Sequence, residues 1–188
     1  MRALVRWLFR FVLWLAYAAY KAEGINALLL IMPAKFIAPT LRRHGAQIGE
    51  RVEIHSPLLI HNASAEPRKH YANLIIGDDC YFGRDVFFDL KDVIRIEDRV
   101  TLSMRVTLVT HTDAGKSSVA GRLPASHAPI VLRRGAYVGA SVTILQGVQV
   151  GAGAIVGAGA LVRENVAQGD VVGGVPAAPL ETRVPKSR

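Results

Sequence analysis

Cysteine is all but missing from this sequence: Cys80 stands alone among 188 residues. A single thiol excludes an intrachain disulfide framework and points to a reducing compartment. Aromatic residues make up 7% of the chain against 51% hydrophobic overall, so the core must be filled by Val, Ile, Leu and Ala rather than by rings. Acidic residues are short as well, 15 against 23 Lys and Arg, giving a formal charge of +8. Such an excess calls for an anionic partner or surface. No aromatic-and-basic platform of the kind that binds RNA or single strands is present. That sets nucleic acid aside and leaves anionic lipid and phosphorylated ligands. Nor is there the run of roughly 20 apolar residues that a spanning helix needs. Arg10 and Lys21 bracket a shorter apolar run, and Glu23, Gly24 and Pro33 break its continuation. No small-residue cleavage site precedes a polar start, as a secretory leader would require.

What the N-terminus does have is apolar residues with a basic stripe. Arg2, Arg6 and Arg10 are spaced by four, so they step only ~40° around a helix and lie on one side of it. Trp7, Trp14, Tyr17 and Tyr20 are the aromatic types that favour a water–lipid boundary. This pattern predicts an amphipathic helix or helical hairpin lying in the plane of a membrane. Two other readings fit the same residues: a helical cap buried against the end of the remaining fold, and a true membrane span.

The rest of the chain is organised by a period of six. The steps Val138-Gly139, Ile144-Leu145, Val150-Gly151, Val156-Gly157 and Val162-Arg163 stay in phase, and small residues (Ser141, Gly147, Gly153, Gly159) recur three places into the period. Six residues suit one rung of a parallel β-helix, with the aliphatic side chain pointing inward and small residues at the corners. Rungs cannot bury their apolar faces alone, so they must stack. The same phase runs more loosely through Ile48-Gly49, Ile54, Ile76-Gly77, Phe82-Gly83, Phe88-Asp89, Ile96-Glu97, Leu102-Ser103 and Leu108. Polar, Pro- and Gly-rich excursions interrupt it near 57–73 and 112–129. Val142, Ile144, Val148, Val150, Ile155 and Val156 are the expected core of the regular coils, and Cys80 falls in a small-residue slot, as core filler. The expected divisions are a helical, membrane-interacting segment over 1–40, a β-helix over 41–175, and a basic tail over 176–188.

The stretch APIVLRRGAYVGASVTILQGVQVGAGAIVGAGALV, followed by VVGGVPAAPL, resembles the hexapeptide-repeat acyltransferases, and within them the sugar and exopolysaccharide O-acetyltransferases of the maltose, galactoside and colanic-acid type. The likeness runs from LRRHGAQIGERVEI at Leu41 to about Leu180. It implies an all-β solenoid, a left-handed parallel β-helix, working as a homotrimer with acetyl-CoA as co-substrate and no metal. The implied acceptor is a sugar or lipid-linked saccharide. With the N-terminal segment, the implied location is the inner face of the cell membrane, attached peripherally to its anionic surface. The γ-type carbonic anhydrases share the fold, but the paired zinc histidines they need are missing from T-D-A-G-K-S after His111.

Acetyl transfer to a hydroxyl requires a base beside the alcohol and a donor for the thioester oxyanion, and imidazole is the natural base near neutral pH. Of six histidines, His44, His55, His61 and His70 are expected at the surface. His111 and His127 flank the second excursion, where the resemblance puts the active site, in a cleft between subunits. His111 is the expected base, oriented by Asp113 or Asp89. Counted back without gaps from GAYVGAS, the family's catalytic histidine falls on Asp113. Relatives carrying TH.D in this loop bring His111 onto that place with a two-residue shift. His127, in SHAPIV, resembles the second active-site histidine of serine acetyltransferases. For the donor, the resemblance implies Tyr137, Gly139, Ala140, Ala158, Arg163 and Glu164. Two family basic residues near the C-terminus are Ala178 and Glu181 here, and Arg163, Arg183, Lys186 or Arg188 is the expected substitute against the nucleotide phosphates. For the acceptor it implies Asp85, Asp89, Ser103 and Arg105, with His61, Asn62, Arg68, Lys69, His70 and Tyr71 adding contacts. An N-acetyltransferase of an amino sugar and a non-catalytic β-helix scaffold are the competing readings.

Overall fold

A computed structural model describes residues 2–180, with side chains from Trp7 onward. The side chains of Arg2 and Arg6, and residues Glu181, Arg183, Lys186 and Arg188, lie outside the described residues.

The six-residue period becomes a three-sided parallel β-helix. The first coil carries β1 (Gln47–Ile48), β2 (Glu53–Ile54) and β3 (Leu58–His61). The second carries β4 (Leu74–Ile76), β5 (Tyr81–Phe82) and β6 (Val86–Asp89), and the third β7 (Ile94–Ile96), β8 (Thr101–Leu102) and β9 (Thr107–Leu108). A short hairpin, β10 (His111–Thr112) with β11 (Ser126–His127), then leaves the solenoid. The coil resumes with β12 (Ile130–Leu132), β13 (Tyr137–Val138) and β14 (Thr143–Ile144), followed by β15 (Gln149–Val150), β16 (Ile155–Val156) and β17 (Leu161–Val162). The C-terminal turn ends in β18 (Val171–Gly173) and β19 (Ala178–Pro179). Face I stacks β1, β4, β7, β12 and β15; face II runs β2, β5, β8, β13, β16, β18 and β19; face III stacks β3, β6, β9, β14 and β17. Every stacked pair is parallel except β18 with β19.

Register explains the period. Val131 lies opposite Gln149, Tyr137 opposite Ile155 and Thr143 opposite Leu161, each three hexads further on. Inward residues alternate with outward ones as in any strand, so Ala154 and Val156 are buried while Ile155 between them is 42% exposed. That corrects the expectation for Ile155; Ala154 holds the inward slot. The other expected core residues are buried, as is Cys80, whose thiol is pushed up by burial and bonds the Glu97 carbonyl at 3.1 Å.

Corners need backbone in the left-handed region, and Gly147, Gly153 and Gly159 adopt it with φ of 78°, 65° and 73°. Ser141 does so at 59°. In the first three coils the same corners are turned by Arg51, Asp79, Asp85, Arg99 and Arg105, all with φ between 53° and 59°. Elsewhere glycine answers to stacking: a Cβ on Gly151 would meet Gln168 N at 2.5 Å.

The N-terminal segment takes the expected form of a helical cap in its second part and stands exposed in its first. Helix α1 (Arg2–Leu29) is broken at Lys21, where φ is 53° and ψ −129°. Beyond that break Ala22, Ile25, Leu29 and Met32 are buried and cap the first coil, helped by α2 (Ala34–Arg43) with Ile37 and Leu41. Tyr71 O–H donates to Asn26 Oδ1 at 2.9 Å, tying the cap to the first excursion. Before the break, among the described side chains, Phe9, Leu13 and Tyr17 pack on the core, while Trp7, Phe11, Trp14 and Tyr20 stand 63%, 44%, 61% and 73% exposed. Among the described residues no helix is long and apolar enough to cross a membrane. The first excursion begins later than its composition suggests, because Leu58–His61 is a full strand of face III paired with β6.

Candidate active site

Asp89 ends β6 with its side chain turned inward and 1% exposed. A buried carboxylate must find donors, and this one finds them on three successive coils. Oδ1 accepts Asn62 Nδ2 at 2.7 Å and Lys91 N–H at 3.3 Å. Oδ2 accepts Thr110 N–H at 2.8 Å and His111 Nδ1 at 2.6 Å, with the Thr110 hydroxyl 3.1 Å away. Burial pushes the carboxyl up, but the bonds from His111, Asn62 and Thr110 outweigh it and hold the group below the usual carboxylate value. Asp89 is therefore an anion. An ionised carboxylate can only accept, so the His111 proton sits on Nδ1 and Nε2 presents its lone pair.

His127 repeats the arrangement at the surface. Its Nδ1 lies 2.6 Å from Asp92 Oδ2, the imidazole 58% and the carboxylate 21% exposed. The two histidines are direct partners across the antiparallel β10–β11 pair, so the neck of the loop sets them side by side. A cavity of about 350 Å³ opens between them, lined by Asn62, Lys91, His111, Thr112, Asp113, Ser126 and His127. Gln146, from the next coil, braces the neck: Nε2 donates to Ser126 Oγ at 2.9 Å and lies 3.4 Å from Thr112 Oγ1. Its Oε1 is buried without a partner among the described residues. The His61 ring stands 6.2 Å from His111. Chemically, the cavity offers an imidazole oriented by a buried carboxylate, and a second imidazole with its own carboxylate.

The other sequence-predicted residues divide. Of the two carboxylates expected beside His111, Asp89 makes the contact, while Asp113 accepts the N–H of Gly115 in its own loop at 2.7 Å. Asp85 and Arg105 turn the corner between faces II and III, across face III from His111. Ser103 and Tyr137 share a hydrogen bond of 3.1 Å on face II. Gly139 and Ala140 stand at the same corner as Ala158, and Gly139 is packed so tightly on it that a Cβ would meet Ala158 N at 2.6 Å. Arg163 and Glu164 form an exposed ion pair of 3.6 Å following β17, on the edge that carries His111 two coils earlier. Within one chain, then, the donor-side residues of faces II and III are not brought to the histidine cavity.

His44 and His70 overturn the expectation of surface positions: they are 7% and 3% exposed. His44 Nδ1 donates to the Thr40 carbonyl at 2.9 Å, and His70 bonds Ser64 O at 2.5 Å and Tyr17 O–H at 3.3 Å. Asp92 escaped sequence reasoning. Its one signal is its distance of three from Asp89, which carries meaning only once the corner is known to lie between them.

No protein-family model matches the chain. A 2,3,4,5-tetrahydropyridine-2,6-dicarboxylate N-acetyltransferase from Staphylococcus aureus (strain bovine RF122 / ET3-1) is 42% identical over 67 residues, which is 36% of this chain and 28% of that protein. The chain thus spans little more than a quarter of the curated relative it matches. Among solved structures, a hexapeptide-repeat containing acetyltransferase from Vibrio cholerae superposes with a TM-score of 0.73 at 20% identity, over 90% of this chain and 92% of that one. The same Vibrio protein complexed with acetyl coenzyme A gives a TM-score of 0.70 at 21% identity, over 86% and 84% of the two chains. A galactoside acetyltransferase in complex with coenzyme A gives 0.72 at 18% identity, over 85% and 77%. The structural neighbours are hexapeptide-repeat acetyltransferases, and together with the parallel sheets they fit a left-handed β-helix.

Proposed function

We propose that this chain is an acetyl-CoA-dependent O-acetyltransferase that acylates a sugar hydroxyl in the building of a cell-surface polysaccharide or glycolipid. The observation that carries the reading is the buried Asp89 carboxylate holding His111 with Nε2 free, at the rim of a cavity in a fold whose solved neighbours include complexes with coenzyme A. In the proposed reaction Nε2 takes the acceptor hydroxyl proton as that oxygen attacks the thioester carbon. Asp89 stabilises the imidazolium. The C–S bond breaks, the imidazolium returns the proton to the departing thiolate, and the products are an acetyl ester and the free thiol. His127, oriented by Asp92, serves as a second hydrogen-bonding group at the reacting centre. Asp113, Ser126 and Lys91 meet the acceptor.

Acetyl-CoA is assigned to the edge lined by Tyr137, Gly139, Ala140 and Ala158. Its phosphates are assigned to Arg163, beside Glu164 on the edge that carries His111 and so reached from a neighbouring copy, or to one of the tail residues Arg183, Lys186 or Arg188. The close stacking of Gly139 on Ala158 supports this, since an edge without side chains lets the pantetheine arm reach backbone groups. Because Asp85, Ser103, Arg105 and the donor edge stand across face III from His111 in one chain, the complete site is proposed to form between copies of a homotrimer. The outward row Tyr81, Thr101, Tyr137 and Ile155 on face II supports it as a largely apolar strip for a second copy to cover. Residues 41–175 are the proposed catalytic domain, and the exposed Trp7, Phe11 and Trp14 of α1 the proposed peripheral contact with the inner face of the cell membrane.

The N-acetyltransferase name of the partial curated relative favours transfer to nitrogen, with an amino sugar as the second reading; the same imidazole would serve there. Calorimetry with acetyl-CoA, followed by turnover with sugar and amino-sugar acceptors, tests both. Binding by wild type and His111→Ala, with transfer to hydroxyls lost only in the variant, is the expected result. Transfer to amines alone would select the second reading, and no binding by either protein would leave a scaffold.

A further inference from the structure

A second cavity, of about 690 Å³, lies away from the histidines, between α1, the end of α2 and the first excursion. Arg10, Arg43 and Arg68 converge on it, one from each element, and Leu13, Trp14, Tyr17 and His44 complete the wall. None of the three guanidiniums has a carboxylate within ion-pair distance among the described residues, whereas Arg42, Arg51, Arg133 and Arg134 each do. Three unneutralised guanidiniums at one opening repel each other and lower the free energy of any anion that enters. An adjoining groove shares Arg10, Leu13 and Arg43 and extends past Phe9, Phe36 and Lys35. The opening is basic and the floor apolar, which is the complement of an anionic amphiphile rather than of a free sugar phosphate.

We propose that this cavity seats the phosphate of an anionic phospholipid, held by Arg10, Arg43 and Arg68, while the neighbouring exposed face of α1 enters the same lipid interface. The inference rests on the membrane-surface reading above and gives it a site. Trp14 joins the two parts, since it lines the cavity and is 61% exposed beside Phe11 and Trp7 on the outward face. Arg68 belongs to the excursion that also carries Asn62, the donor to Asp89, so the proposed lipid site and the histidine cavity share one loop.

The test uses the full chain and vesicles of phosphatidylcholine alone or mixed with phosphatidylglycerol, with sn-glycerol phosphate as the soluble competitor. Wild type is expected to prefer the mixed vesicles and to be little displaced by the competitor. Each basic residue near an anionic surface contributes about fivefold, so Arg43→Gln with Arg68→Gln should weaken binding to mixed vesicles by about 25-fold. Binding to neutral vesicles should remain. Arg84→Gln with Arg99→Gln, the same charge change on the solenoid, should weaken it much less. Equal losses in the two double variants would show diffuse charge attraction and overturn the site. Full displacement by glycerol phosphate would overturn the lipid as its occupant. If neither vesicle bound wild type, the membrane reading itself would fail, and the site with it.

Discussion

Replacing Asp89 by Asn removes one charge and almost no volume, and the surroundings of Asp89 make its effect calculable. The carboxamide oxygen can turn toward Thr110 N–H and His111 Nδ1–H, keeping the imidazole tautomer, while Asn62 flips its own amide to match the new NH2 group. What cannot be restored is the negative charge beside the imidazolium that forms during transfer. With charge centres about 4 Å apart at an effective dielectric near 20, that charge contributes about 4 kcal/mol, and only part of it develops in the transition state. A loss of about 2–4 kcal/mol corresponds to a fall in kcat of roughly 30- to 1,000-fold. The affinity for acetyl-CoA should hold, because no donor-edge residue is touched. Exchanging charge-assisted bonds for neutral ones should also cost about 1–3 kcal/mol of folding stability. The pH signature comes from the sign of the shift. A carboxyl held below its unfolded value stabilises the fold fully above the unfolded pKa of about 3.9. That contribution disappears as pH falls through the lower folded value, so the variant should lose part of the wild-type acid-unfolding response below about pH 4. Stopped-time thioester assays, calorimetry and acid titrations read the three effects. A folded Asp89→Asn protein with kcat within threefold of wild type would refute the proposed role of the pair.

His111→Ala should lower turnover by about 10²–10⁴-fold and His127→Ala by less, measured as thiol release at saturating acceptor; the reverse order would make His127 the base. Gly151→Ala, where a Cβ would strike the backbone of the coil above, should cost about 1–3 kcal/mol. Gly153→Ala meets no atom within 4 Å and should cost about 1 kcal/mol from its φ of 65° alone. Denaturant melts of the two variants separate stacking from backbone strain. Burial holds His44 below its ordinary value of 6.5, with nearby His70 and Arg43 acting the same way against the bond to Thr40. Its contribution to stability is therefore present above pH 6.5 and lost as pH falls through the folded value. Tryptophan emission from α1 should report a loosening on acidification that His44→Phe abolishes.

The fold was legible where corners are turned by glycine and hidden where they are not. In the coils after residue 130, Gly147, Gly153 and Gly159 announce the period. Before it, Arg51, Asp79, Asp85, Arg99 and Arg105 occupy the same backbone geometry with side chains that read as loop. Leu58–His61 escaped notice for a related reason: Pro57 and the polar residues after it obscure a strand whose partner is 28 positions on. His44 and His70 read as surface residues because nothing local shows that Tyr17 folds back over them. The site was half legible. Histidines flanking a loop can be named from sequence, and Asp89 with Asp113 as candidate partners of His111, but that Asp89 makes the contact, with Asn62 beside it and Asp92 on His127, follows from stacking of coils that no local spacing encodes.

The hairpin neck has a consequence for how such a protein can change. Pairing of His111 with His127 and Thr112 with Ser126, braced by Gln146, closes the loop before its interior begins. What lies between residues 113 and 125 therefore hangs from a finished clasp and bears on the imidazoles only through what it offers an incoming acceptor. Length and composition there are free to drift or be exchanged while the proposed proton-handling pair stays where the coils put it. Grafting this loop from another chain of the same architecture should transfer a preference for acceptors without rebuilding the reacting centre.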